Sequence, residues 1–289
     1  MQMDSDFARR VLEDDPQTRS TLGLEEECLS WVRSQGMSPI SADLGGKRRR
    51  QIVGNIASEY TLSLSATTSV PTKEPIAWLD KFFTSDEFHR AVREDGRLPL
   101  AFGRYAREDA LRRERHEIAA VVELEFALAQ LRREAAGALQ HDGPMISEIA
   151  PGVSAGKRDD TLWLSKRARL IELPAGTHSW CEELQTSLEG QGSAAPPAGF
   201  PGSSKETVLL FAHRTSGPHQ PAEVRTERLD PPVDEVLRRS RSGFAREERA
   251  AFARAQGAEL EDLEGFLGGF LDEGVLEPSG ADRGHWEIG

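Results

Sequence analysis

Long apolar runs are missing from this 289-residue chain. No stretch reaches the eighteen or so unbroken apolar residues that a membrane-spanning helix needs. Cysteine is scarce as well: Cys28 and Cys181 are the only two, and they lie far apart. Two isolated thiols make neither a metal-like pair nor a disulfide framework, and they fit a reducing compartment. Basic charge is in deficit, with a formal net charge of −12. That balance opposes broad attraction to nucleic acid or to an anionic membrane surface, although a local basic patch is still possible. The opening "MQMDSDFARRVLEDD" has no apolar core and no cleavage site, so it is not a signal peptide and a cytoplasmic protein is expected.

Catalytic signatures are also absent. There is no G-x-S-x-G for a nucleophile, no H-E-x-x-H or paired C-x-x-C for a metal, and no G-x-x-x-x-G-K-[ST] for a phosphate. His178 and Cys181 stand at i,i+3 and could share one helix face as metal ligands. The plainer alternative is a packed cysteine beside a surface histidine. His213 and His219 flank a turn and read as solvated. Glu125 lies close to an apolar helix face, where it is either a general base or a carboxylate that bonds neighbouring backbone and fixes register. "LGGKRRR" reads as a solvated helix start over Lys47 to Arg50, with a docking patch for an acidic partner as the alternative.

What is present is enough sequence for two domains, 38% hydrophobic and 29% charged. The first 145 residues read as a helical bundle. "GLEEECLSWVRSQG" is a short amphipathic helix. "KRRRQIVGNIASEYTLSLSATT" places Ile52, Val53, Ile56, Tyr60 and Leu64 on one face. "TSDEFHRAVREDG" opens with Thr84 and Glu87 at capping-box spacing and stops at Gly96. "LRRERHEIAAVVELEFALAQLRREAAGAL" has no Gly or Pro before Gly137 and predicts one helix of about seven turns. Its apolar positions Ile118, Val121, Val122, Leu124, Leu128 and Leu131 form a wide face for shorter helices to pack on.

The character changes over 146–160, where glycine, proline and serine replace helix formers, which predicts a linker. From 161 to 289 the pattern is strands, then three helices, then a short strand. "TLWLSKRARLIELP" reads as extended, "THSWCEELQTSLEG" as a short helix capped by Thr177 or Ser179, and 190–205 as a flexible loop. "ETVLLFAHR" reads as a central strand and "EVRTERL" as a half-exposed one. The segment "ELEDLEGFLGGFLDEGVLEP" reads as a helix with Leu263, Phe266, Leu267 and Phe270 on its apolar face, stopped by Gly274. The fold class expected is therefore α+β: an N-terminal helical bundle followed by a winged-helix-like domain with a three-stranded sheet and three helices.

In many winged-helix domains the last helix reads DNA. Here residues 259–273 carry Glu259, Glu261, Asp262, Glu264, Asp272 and Glu273, with no Lys or Arg. Such a helix repels a phosphate backbone. The strand before the helices differs, since Arg225 and Arg228 lie on it and it is expected at a sheet edge. A free edge either accepts an extended peptide or is guarded by its own arginines against aggregation.

The series "TVLLFAHR…EVRTERLD…VDEVLRRSRSG…AREERAAFARAQG…ELEDLEGFLGGFLDEGVLEP" resembles the peptide-recognition element of pathways that modify ribosomally made peptides. The upstream "YAREDALRRERHEIAAVVELEFALAQLRRE", with Glu125-Phe126-Ala127, resembles the helical domain of partner proteins of multinuclear non-haem iron oxidases. "RRQIVGNIASEYTLSLSATT" is similar to their early helix, with Ile52 where an aromatic is frequent before Asn55. The resemblance implies a non-catalytic partner protein that forms a heterodimer with an iron-dependent oxidase subunit. It would bind the leader of a precursor peptide and present the peptide's cysteine-bearing region. It implies no cofactor on this chain, with the iron in the partner subunit, and neither a nucleic-acid nor a membrane partner. By the same resemblance the leader would pair with Val224, Arg225, Thr226, Glu227, Arg228 and Leu229, against a helix face of Leu263, Phe266, Leu267 and Phe270. The alternative is a winged-helix transcriptional regulator or anti-regulator that acts through protein contacts. A third reading is an enzyme whose site leaves no motif.

Overall fold

A computed structural model describes residues 39–69, 75–94, 96–141, 160–190, 195–196, 200, 204–213 and 223–279. The predicted helix at 23–36, residues 146–159 of the predicted linker, most of the 190–205 loop and His219 lie outside the described residues. The protein is α+β. It divides into two compact units: Met1–Phe126 with Ser179–Ala198, and Ala127–His178 with Gly199–Gly289.

Among the described residues the first unit is mainly helical. It contains α1 (Pro39–Glu59), α2 (Thr61–Ser69), α3 (Pro75–Phe83), α4 (Asp86–Arg93) and α5 (Leu98–Arg112). It also holds the first part of α6 (His116–His141) and most of α7 (Thr177–Glu189). Aromatic side chains fill its centre. Phe82 meets Phe88, Phe102 and Tyr105 at ring-centroid distances of 5.5, 5.3 and 5.5 Å, and Tyr60 stands edge-on to Phe102 at 5.1 Å. Gly103 permits this packing. A Cβ there would lie 2.2 Å from the Tyr60 hydroxyl and 2.5 Å from the Phe126 ring.

Three sequence expectations change here. The single early helix is two, broken at Tyr60, because the buried Glu125 carboxylate takes up the first backbone donors of α2. Glu125 accepts hydrogen bonds from the N–H groups of Leu62 and Ser63, both at 2.8 Å, and from the Ser63 hydroxyl. The predicted seven-turn helix is also two. Glu114 adopts a left-handed conformation, φ 56°, and the Arg115 N–H turns back to the Ala110 carbonyl at 2.8 Å. Buried Asp109 anchors that corner, accepting from Trp78 Nε1 at 3.1 Å and pairing with Arg113 at 2.8 Å. Finally, α4 is capped by Ser85 rather than Thr84, since the Ser85 hydroxyl accepts from the Phe88 N–H.

Among the described residues the second unit carries two three-stranded sheets where one was expected. "TLWLSKRARLIELP" divides into β1 (Thr161–Leu164) and β2 (Ala168–Pro174). The Ser165 N–H bonds the Val275 carbonyl, and the Ala168 N–H closes a turn onto the Ser165 carbonyl, so the two halves enter different sheets. One sheet runs β2-β3-β4, with β3 at Lys205–His213 and β4 at Glu223–Arg228. The other runs β5-β1-β6, with β5 at Phe244–Ala245 and β6 at Leu276–Pro278. Helices α8 (Pro231–Ser242), α9 (Arg246–Ala255) and α10 (Leu260–Asp272) complete the unit. Gly274 stops α10 as predicted, with φ 78°.

One apolar core joins both sheets to these helices, including Leu162, Leu170, Leu209, Phe211, Leu237, Phe244, Phe252 and Leu276. Arg249 lies within this unit, 1% exposed. Its guanidinium donates to the Phe244 carbonyl at 2.8 Å, the Asp160 carbonyl at 2.7 Å, the Asp160 carboxylate at 3.0 Å and Glu264 at 2.9 Å. It thereby ties the entry to β1, strand β5 and helices α9 and α10 into one network.

Removing that guanidinium takes a donor from the Phe244 and Asp160 carbonyls and from two carboxylates, and leaves a buried space. Arg249→Ala should cost about 3 kcal/mol or more in chemical denaturation; a loss near zero would refute the network's structural role. Tyr105 supplies a pH test in the first unit. Burial first, and the Asp109 carboxylate second, push its phenol up from 10 to about 12. The folded chain holds that proton more tightly than the unfolded chain. The associated stability is therefore intact below pH 10 and lost as pH rises through about 12. In a Tyr60→Phe background, the ultraviolet phenolate signal of folded protein should appear near pH 12 rather than 10.

Candidate functional site

The Val224–Leu229 stretch forms one border of the second unit's larger sheet. Among the described residues strand β4 pairs only with β3, in antiparallel register from Val208↔Arg228 to His213↔Glu223. The Leu229 N–H bonds the Thr207 carbonyl at 2.9 Å. In an antiparallel ladder, bonded and non-bonded residues alternate. Leu229, Glu227, Arg225 and Glu223 therefore turn their backbone groups toward β3, and Val224, Thr226 and Arg228 turn theirs outward. No described residue hydrogen-bonds to that outer row.

The opposite border obeys the same parity and is partly covered. The Ala212 N–H bonds the Arg167 carbonyl, so Ala168, Leu170 and Glu172 of β2 face outward. The Leu170 carbonyl is taken by Arg241 of α8 at 2.7 Å. Close by, Arg238 and Lys205 both donate to Glu172, and these hydrogen bonds hold its carboxyl below the usual range. The two edges of one sheet thus differ: β2 is bonded by side chains from α8, and β4 is open among the described residues.

Side chains alternate as well. Leu229 lies just beyond β4 and is buried in the core with Leu263 and Leu267. Phe270 is half-buried against that core. Phe266 is 46% exposed and meets Phe270 edge-on at 5.2 Å. Of the four apolar residues predicted on α10, two are therefore interior and two form an aromatic pair reaching the surface. Arg225 and Arg228 are exposed and pair with no carboxylate among the described residues.

Thr226 has a side-chain partner in His178, with Nε2 and Oγ1 3.3 Å apart. His178 is buried rather than at the surface, at the start of α7, and its backbone N–H donates to Glu206 Oε1 at 2.7 Å. The other oxygen of Glu206 accepts from the Gly176 N–H at 3.1 Å. Glu206 thus supplies the cap that the sequence suggested for Thr177 or Ser179; Thr177 instead donates to the Pro174 carbonyl. Nothing in the sequence links Glu206 to a helix almost thirty residues earlier.

The other candidates resolve structurally. Cys181 is buried, and no group of three potential metal ligands occurs among the described residues. Glu125 is a helix cap. Lys47 to Arg50 lie inside α1 rather than at its start. Arg49 pairs with Asp80 and sits 4.9 Å above the Phe83 ring. His213 ends β3, its ring 6.0 Å from that of Phe211. Among the described residues, no helix is long and apolar enough to cross a membrane. No protein-family model matches the chain, and no curated protein matches it significantly.

The parity of β4 has a direct consequence for proline substitutions. At Val224 the lost N–H points outward; at Arg225 it belongs to the β3 ladder. Val224→Pro should therefore be less destabilising than Arg225→Pro by about 1 kcal/mol or more, the net worth of a ladder bond. Denaturant midpoints measured side by side decide it, and equal losses would refute the register.

Proposed function

We propose that this chain is a non-catalytic partner protein in the biosynthesis of a modified ribosomal peptide. It captures the leader of the precursor and presents the peptide's cysteine-bearing region to an iron-dependent oxidase subunit. The observation that carries the reading is the outer edge of β4, which is open among the described residues. Three outward backbone positions in a row are the hydrogen-bonding pattern that an extended peptide completes by strand addition. Main-chain bonds supply affinity there, and side chains flanking the edge supply selectivity.

The order of elements supports a winged-helix-like recognition unit: β4, three helices, then the short strand β6. Arg225 and Arg228 are available for acids in a leader, and the Phe266–Phe270 pair for its apolar side chains. The acidic α10 disfavours the alternative of a DNA reader. The first unit is assigned to oxidase docking, in a cytoplasmic heterodimer whose iron belongs to the other subunit.

Calorimetry of the full chain with a synthetic leader of the precursor encoded beside its gene tests the reading. Binding should be measurable and should fall by roughly tenfold or more in Val224→Pro and in Phe266→Asp. Unchanged affinity in both variants would remove the site. Duplex DNA at moderate salt should show no binding in a gel shift, and measurable affinity there would favour a regulator.

A further inference from the structure

The outer edge of β4 is its own complement. We propose that two copies of this chain associate through it, antiparallel about a two-fold axis at Thr226, so that their β2-β3-β4 sheets become one continuous sheet. Val224, Thr226 and Arg228 are the outward-facing positions. With the axis at Thr226, each Thr226 faces the other, and each Val224 faces Arg228 of the second copy. Every one of these pairs joins two outward positions, so each exchanges both backbone hydrogen bonds.

The positions between them carry the charges. Arg225 of one copy then faces Glu227 of the other, and Glu227 faces Arg225. These are non-bonded pairs, where side chains of opposing strands come closest. A two-fold axis makes the contact isologous, so a single ion pair appears twice.

The same charges select the register. An axis at Arg225 would set Arg225 against its own copy and Glu223 against Glu227. An axis at Glu227 would set Glu227 against itself. An axis at Val224 would carry the pairing of Thr226 and Arg228 past the start of β4. Only the Thr226 axis uses the whole strand with opposite charges facing.

Edges that avoid pairing carry charged side chains, lysine above all, or proline or a bulge; on β4 the charges of Arg225 and Glu227 instead meet opposite charges across the axis. Between Glu223 and Arg228 there is no lysine and no proline, and the register with β3 runs without a bulge. On β2, by contrast, Arg241 occupies an outward carbonyl. The association does not rest on the peptide reading, although it uses the same edge. A second copy and an added leader strand exclude one another.

Sedimentation velocity of the full chain, over a wide concentration range and without peptide, tests the dimer. The unmodified chain should show a monomer–dimer equilibrium. Arg225→Glu sets acid against acid, and Glu227→Arg sets base against base. Each single variant should dimerise roughly tenfold more weakly or worse. Both positions are exposed, and circular dichroism should show both variants folded.

Mixing the two variants should restore the dimer as a heterodimer, because every facing pair is again of opposite sign. A monomeric wild-type chain, variants that dimerise like wild type, or a mixture that stays monomeric would each overturn the proposal. A monomeric wild-type chain that still binds the synthetic leader would overturn the dimer and leave the peptide reading standing.

Discussion

A guanidinium buried in an apolar setting must be fully engaged by hydrogen bonds, or its desolvation cost goes uncompensated. Arg249 meets that requirement by drawing on three separate segments. The carbonyls of Asp160 and Phe244 and the carboxylates of Asp160 and Glu264 converge on it. Asp160 precedes β1, Phe244 opens β5, and Glu264 lies on α10. The β5–β1 side of the small sheet is therefore pinned where one charge is satisfied. With that small sheet in place, Ser165 is held by Val275, and the chain must turn before it can begin β2. The larger sheet, with the border that is open among the described residues, depends on that turn.

Carboxylates play a matching part at helix starts. Glu125 caps α2, and Glu206 caps α7. In each case an acid distant in sequence accepts backbone donors that a helix leaves unpaired. This arrangement explains why acids that look poised for chemistry have other tasks. A carboxylate with both oxygens bound to backbone N–H groups holds register, and Glu125 was legible only as an acid beside an apolar face. Glu206 gave no sign at all, because its partners come from residues 176 and 178.

Periodicity made much of the fold readable. The apolar spacing of α10, its stop at Gly274, the strand at 205–213 and the helices α8 and α9 follow from residue order. Breaks were less readable. Neither Tyr60 nor Glu114 is a residue that ends helices by itself. Each break exists because a side chain elsewhere, Glu125 in one case and Asp109 with its partners in the other, favours the turned backbone. The candidate strand at 224–229 was also found from alternation, with its arginines. That Leu229, Leu263 and Leu267 are interior, with only Phe266 and Phe270 reaching the surface, depends on how α10 rolls against the sheet.

Sequence by itself determined the α+β class, the helical first half, the acidic face of α10 and the alternating charges of β4. These are properties of neighbouring residues, set by local spacing and side-chain type. Tertiary structure decided that there are two sheets rather than one, which helix ends are capped from afar, and which border of the larger sheet is occupied. The reason is physical. An edge is open or covered according to where backbone groups point and what reaches them, and both depend on partners that residue order does not bring together.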